Sequence, residues 1–292
     1  MKVTGFTFIR NAVKNDYPVV EAITSVLPMC DEFIVVHGNS TDETFQLLES
    51  ISSPKIKIID SVWDDTMREG GRTFALETDK ALHAISDDTD WAFYIQGDEI
   101  VHEKYHELIK KEMEISLKDD QVEGLLFKYL HFYGSYDYIA KSRRWYRKEI
   151  RILKNVKGMH SFRDAQGFRL NDRKIKVKEI DAYVYHYGWV KPPIELNNKV
   201  RNFNKFYHDD EWIESNIPQA ESFDYGNADE LIKFEDSHPE VMSVRVKNTL
   251  WKFDVDPLSL KKKLSIRRRF LKWIEDKTGY RAFEYKNYEK II

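Results

Sequence analysis

The chain has 292 residues, 42% of them hydrophobic, which supplies the core of one large domain or two small ones and excludes a disordered polypeptide. A formal net charge of -3 gives no overall attraction to nucleic acid, and no nucleic-acid motif accompanies the basic residues near the C-terminus. Cys30 is the only cysteine, which excludes an internal disulfide and any multi-cysteine metal or iron–sulfur centre and suits a reducing compartment.

The N-terminus carries Lys2, Arg10, Lys14 and Asp16 without an apolar stretch, and no window approaches the roughly 18 uncharged apolar residues of a spanning helix. A cytoplasmic location is therefore expected. In chain order, Val3 to Ile9 is an apolar, β-favouring run, and Asp16-Tyr17-Pro18 opens a helix with Val19, Ala22, Ile23 and Val26 on one face. Glu32 to Val36 reads as a second strand. Ser40-Thr41-Asp42-Glu43 then matches a capping box, with Ser40 as N-cap and Glu43 at N3. Lys55 to Trp63 reads as a third strand, and Arg72 to Ile85 as a third helix with Phe74, Ala75, Thr78, Ala81, Leu82 and Ile85 at helical spacing. Trp91 to Ile95 is a fourth strand.

Four β–α units in succession predict an α/β fold with a mainly parallel sheet covered by helices on both faces. Ligands of such sheets bind beyond the carboxyl ends of the strands. The loops at Arg10-Asn11, His37-Gly38-Asn39, Trp63-Asp64-Asp65 and Gln96-Gly97-Asp98-Glu99 should therefore converge on one crevice. A charged helix over Glu103 to Leu117 follows, then strand-like runs at Glu123 to Tyr133, Glu149 to Lys154 and Val177 to Tyr187. Residues from about Pro192 onward are polar, aromatic-rich and mostly helical in pattern. The expected organisation is a catalytic domain over 1–190, with a nucleotide-binding half at 1–100 and an acceptor and metal half at 101–190, followed by a mostly helical extension at 191–292.

Several segments carry chemistry. The strand from Trp91 ends in Asp98 and Glu99, carboxylates placed either to hold a hard divalent cation against a diphosphate or simply to cap the next helix. Arg68-Glu69-Gly70-Gly71-Arg72 reads equally as a phosphate-favouring turn before a helix or as a plain loop-to-helix junction. His186 stands in the aromatic run Tyr183 to Trp189, where a lone histidine is either a packed core residue or a ligand.

Three of these segments, by order and spacing, resemble glycosyltransferase family 2, whose members share the GT-A fold and bind nucleotide sugars. Phe8-Ile9-Arg10-Asn11 looks like the end of the family's first strand, beside the base. Val35-Val36-His37-Gly38-Asn39-Ser40-Thr41-Asp42 looks like its second-strand motif, commonly V-V-D-x-G-S-T-D, and Gln96-Gly97-Asp98-Glu99 resembles its D-x-D-E stretch. The resemblance is clear over about residues 1–105. Two departures stand out: His37 replaces a base-contacting Asp, and Gln96 replaces the first carboxylate of D-x-D.

The resemblance implies a metal-dependent, inverting transferase that moves a sugar from a nucleotide-diphosphate sugar to an acceptor hydroxyl, in surface polysaccharide or glycoconjugate assembly. It implies donor contacts from Phe8, Arg10, Asn11, His37, Asn39, Arg72, Gln96 and Asp98, and a Mn2+ or Mg2+ ion on Asp98 and His186. Inversion needs a base for the acceptor hydroxyl, and Asp164 is the first candidate, with Asp137, Asp172 and Asp181 as rivals. The acceptor is expected to be a saccharide or lipid-linked. Residues 261–274, with Lys261-Lys262-Lys263, Arg267-Arg268-Arg269, Phe270 and Trp273, read either as a peripheral contact with the inner membrane face or as a helix docked on the main domain. The rival readings are a non-catalytic binding protein of the same fold and a sugar nucleotidyltransferase. Against the latter, Phe8-Ile9-Arg10-Asn11 lacks any glycine for a phosphate loop.

Overall fold

The computed structural model describes residues 1–68, 70–217, 230–251, 253 and 265–291. The first half alternates β1 (Val3–Ile9), α1 (Val19–Val26), β2 (Glu32–Gly38), α2 (Thr44–Glu49), β3 (Ile56–Ser61), α3 (Arg72–His83) and β4 (Trp91–Tyr94). A short β5 (Glu99–Val101) and α4 (His106–Leu117) lead to β6 (Gly124–Tyr133), β7 (Tyr138–Ala140), β8 (Lys148–Lys154), β9 (Met159–Phe162), β10 (Gly167–Leu170), β11 (Arg173–Lys174) and the long β12 (Lys176–Trp189). Then come α5 (Pro193–Asn204), α6 (Asp210–Asn216), β13 (Leu231–Lys233), α7 (Ser243–Lys247), α8 (Ile266–Thr278) and β14 (Glu289–Lys290).

The main sheet runs β3-β2-β1-β4-β8-β6-β7-β13, with β12 paired to β6 and carrying β5 and β14. β3, β2, β1 and β4 are mutually parallel, β8 is antiparallel to both its neighbours, and β12 lies parallel to β6. This is the mixed α/β arrangement, with helices on both faces of the sheet, that the sequence predicted.

Strand periodicity explains why the sheet forms. Val3 and Ile9 of β1, Phe33 and Val35 of β2 and Trp91 and Phe93 of β4 point into one core, under α1 and α4. The alternate residues Phe6, Ile34, Val36, Ala92 and Tyr94 enter the other, under α3 and the β9–β10 hairpin. Both faces are dry, so these strands read as unbroken apolar runs rather than alternating ones. Val19, Ala22, Ile23 and Val26 are all fully buried, as their spacing predicted.

One local difference has a plain cause. The Ser40 capping box does not form: the Ser40 hydroxyl accepts from the Asn11 amide at 3.0 Å and meets His37 at 3.1 Å, and the helix begins only at Thr44. Asp42 accepts from the Thr44 amide instead, at 3.1 Å. The extension beyond residue 190 contributes strands as well as helices, since β13 pairs with β7 and β14 with β12. Of the basic stretch, residues 261–264 lie outside the described residues, while α8 stands with Ile266, Phe270 and Trp273 exposed. Glu275 ties that helix to Arg143 at 2.5 Å and to Arg281 at 2.7 Å. Among the described residues no helix is long and apolar enough to cross a membrane.

Candidate functional site

The chain leaves β1 toward β2 and β3 on one side and returns to place β4 on the other. The loops after β1 and β4 therefore part at a topological switch point, where an open sheet offers a crevice. A cleft of 1110 Å³ opens there, reached by Arg10 and Asn11 after β1, Trp63 and Asp65 after β3, and Gln96 and Asp98 after β4.

Of the expected donor residues, Phe8, Arg10, Asn11, Gln96 and Asp98 line the cleft. Phe8 stacks on Phe74 at 5.9 Å and tilts against Trp63 at 5.8 Å, and Phe206 closes on both partners. Such an aromatic wall suits a flat ring. Arg10 is spent on Asp65, which it bonds through both terminal nitrogens at 2.5 and 3.1 Å, and this holds the Asp65 carboxyl below the usual range. Gln96 turns its amide to the Tyr94 hydroxyl at 3.3 Å.

Three expected contacts lie off this lining. His37 is buried between Asp60 Oδ1 at 3.0 Å and Ser40 Oγ at 3.1 Å. Asn39 accepts from the Trp63 amide at 3.1 Å. Gly38 leaves the room that the Trp63 ring fills, for a Cβ there would stand 2.5 Å from Trp63 Nε1. The second-strand motif thus sets Trp63 and reaches the cleft lining only through Thr41. Arg72 faces an adjoining depression shared with Asp164 and Tyr207.

The two carboxylates after β4 separate in role. Glu99 is wholly buried, gripped by Arg151 at 2.6 and 2.7 Å and by the Tyr129 hydroxyl at 2.8 Å. Asp98 turns into the cleft, where Lys199 of α5 donates to its Oδ2 at 3.1 Å and to the Gly188 carbonyl at 2.7 Å. Gly188 must lack a side chain, since a Cβ would sit 2.3 Å from Asp98 Oδ2. Burial alone would raise the Asp98 carboxyl, but Lys199, His186 and Lys191 outweigh it and hold it well below the usual range.

His186 Nε2 faces Asp98 Oδ2 at 3.6 Å, so the two expected metal ligands are neighbours. A carboxylate oxygen opposite an imidazole nitrogen is a donor set that fits a divalent cation such as Mn2+ or Mg2+. Among the described residues no group of three or more His, Cys, Asp and Glu gathers, so the protein would supply an open site, completed by ligand oxygens and water.

Asp164, in the turn between β9 and β10, also lines the cleft. Its Oδ2 accepts from the Tyr207 hydroxyl at 2.6 Å, while its buried Oδ1 has no partner among the described residues. Asp137, Asp172 and Asp181 do not line it, and Asp172 and Asp181 face solvent beside His160 and Lys128. Sequence reasoning missed Lys199, His131, Arg151 and Glu149, all on the lining. Burial pushes the Glu149 carboxyl up to about 8 despite Arg151 nearby, with Glu99 and Asp164 adding to the rise.

No protein-family model matches the chain, and no curated protein matches it. Among solved structures, S. aureus TarS aligns over 69% of this chain and 39% of its own, at 15% identity and a TM-score of 0.39. The aligned part is thus well under half of TarS. Glucosyl-3-phosphoglycerate synthase from Mycobacterium tuberculosis, solved with Mg2+ and uridine-diphosphate, aligns over 44% of this chain and 43% of its own, at 17% identity and a TM-score of 0.31. 4-Diphosphocytidyl-2C-methyl-D-erythritol synthase from Anaerococcus prevotii aligns over 70% and 95%, at 13% identity and a TM-score of 0.38. These likenesses are distant, and the reading of the site rests on its own geometry.

Proposed function

We propose that the chain is a glycosyltransferase that moves a sugar from a nucleotide-diphosphate sugar to an acceptor hydroxyl with inversion. The observation that carries this reading is the pairing, in one switch-point cleft, of two carboxylates with different surroundings. Asp98 sits in a cluster of Lys199 and His186, and Asp164 keeps one buried oxygen without a partner among the described residues. The aromatic wall of Phe8, Trp63 and Phe74 would stack the base. Lys199 has a third N–H beyond the two it gives to Asp98 and Gly188, available to a diphosphate oxygen.

Asp98 and His186 would hold a divalent cation, which when bound supplies positive charge against the departing diphosphate. Asp164 Oδ1 would take the acceptor proton, with the Tyr207 hydroxyl fixing the other oxygen. Glu149 is the other carboxylate on the lining, but burial keeps it largely protonated at neutral pH, so it is the poorer base.

Thermal-shift measurements with UDP, GDP, CDP and TDP and their sugars, with and without Mn2+ or Mg2+, test the donor half of this reading. One nucleotide class should raise the melting temperature. Asp164→Asn should bind that donor as wild type does while losing about 10²–10⁴-fold in transfer. No shift with any nucleotide would sink the reading, and release of pyrophosphate in place of nucleoside diphosphate would reassign the enzyme to nucleotidyl transfer.

A further inference from the structure

One stretch of the cleft lining comes from β8, the β9–β10 turn and the segment leading to β14, and it carries Glu149, Asp164, Gln166 and Asn287. These side chains are connected. Asn287 Nδ2 donates to the Gln166 carbonyl at 2.9 Å, Gln166 Nε2 donates to Asp164 Oδ2 at 3.4 Å, and the Asp164 charge acts on Glu149. Three of their oxygens, Glu149 Oε2, Asp164 Oδ1 and Asn287 Oδ1, are buried without a partner among the described residues. Asn287 is only 4% exposed, and its amide cannot turn over to relieve Oδ1, because the Gln166 carbonyl can only accept. Buried polar atoms are nearly always paired, so three such oxygens on one stretch of a cleft call for donors that arrive with a ligand. Cations on the same stretch are already engaged: Arg147 with Glu284 at 2.7 and 2.9 Å, Lys148 with Glu179 at 2.7 Å and Arg281 with Glu275 at 2.7 Å. An anionic ligand would have to compete with those carboxylates, whereas hydroxyl groups bring the protons that the three oxygens lack.

We infer that Glu149 is a specificity-determining residue: together with Asn287 it binds the hydroxyls of an uncharged, hydroxyl-rich acceptor, a saccharide, beside the Asp164 oxygen that takes the acceptor proton. That the ligand is the acceptor rests on the transferase reading above; that the site takes a neutral saccharide does not. Glu149 suits this part because a protonated carboxyl both donates and accepts. Burial pushes it up to about 8, so at neutral pH it offers a proton to one sugar oxygen and a lone pair to the next hydroxyl. The hairpin makes room for its companion, since a Cβ on Gly167 would overlap the Asn287 amide. A phosphorylated acceptor would be held elsewhere, by Arg72 and Arg163 in the adjoining depression.

The test uses the full chain and saturation-transfer NMR without nucleotide. Methyl glycosides of glucose, galactose and N-acetylglucosamine serve as neutral probes and glucose 6-phosphate as an anionic one. At least one neutral glycoside should bind, and in preference to glucose 6-phosphate. Glu149→Ala and Asn287→Ala should each weaken that glycoside by about 10-fold. Glu149→Gln, whose amide keeps a donor and an acceptor, should recover most of the loss. Truncating Glu149 strands no hydrogen-bond partner among the described residues, and circular dichroism checks that each variant is folded. Binding of no neutral glycoside, unchanged affinity in a folded Glu149→Ala, no recovery in Glu149→Gln, or preferred binding of glucose 6-phosphate would each overturn the inference. If glycosides bind as described but no nucleotide does, the transferase reading falls while the saccharide site stands; if a nucleotide binds and no glycoside does, the reverse holds.

Discussion

Glu99 follows the cleft carboxylate Asp98 directly, yet its surroundings make it part of the framework, and Glu99→Ala separates the two roles. Arg151 is 1% exposed and Glu99 fully buried, so removing the carboxylate leaves a guanidinium stranded in the sheet with two hydrogen bonds gone. The Tyr129 hydroxyl loses its acceptor as well. Breaking a buried pair from one side costs about 3–5 kcal/mol, whereas replacing both members with apolar groups of similar volume is often close to neutral. For a chain of this size that corresponds to a fall in Tm on the order of 10 °C. Thermal denaturation followed by circular dichroism should show this fall for Glu99→Ala and substantial recovery in Glu99→Leu/Arg151→Met. The opposite pattern, an unchanged Tm with nucleotide or Mn2+ binding lost, would refute the argument and make Glu99 a ligand-contacting group.

Glu149 ties pH to stability. Its carboxyl, ordinarily near 4.5, is pushed up to about 8 by burial, so the folded state favours the protonated form. Below pH 4.5 both states are protonated and the group contributes nothing. As pH rises toward 8 the unfolded chain ionises first, and native stability falls by about 3 kcal/mol near pH 7 from this group alone. Glu149→Gln should flatten the decline between pH 5 and pH 8; identical pH profiles for variant and wild type would show that the burial has no such cost. On α8, Ile266, Phe270 and Trp273 form one exposed stripe at helical spacing beside Arg267, Arg268 and Arg269. Anionic phosphatidylglycerol vesicles should therefore co-sediment the protein at low salt, through about 1 kcal/mol per arginine near the surface. Neutral phosphatidylcholine should not, and Phe270→Glu/Trp273→Glu should abolish the effect; indifference to vesicle charge would dismiss a membrane role for this helix.

What could be read from the sequence divides by the distance over which each residue finds its partners. β1, β2 and β4 were legible because burial on both faces writes a continuous apolar run, and α1 because Val19, Ala22, Ile23 and Val26 report their face within two turns. The cleft was legible for the same reason, since a polar residue following such a run, Arg10 or Asp98, must emerge at the end of a strand. Ser40 failed because a hydroxyl can cap a helix or join a neighbouring loop, and the Asn11 amide, 29 residues away along the chain but 3.0 Å away in space, decided the matter. His131 and Arg151 were silent in the sequence because their meaning depends on register: His131 matters only once β6 and β12 align it with His186, and Arg151 only once β8 carries it beneath Glu99. Lys199 needed the docking of α5 on the cleft before its ammonium could reach Asp98. A strand-end carboxylate announces where a charged ligand can be held, but the groups that set its charge and its rigidity arrive from strands and helices far along the chain.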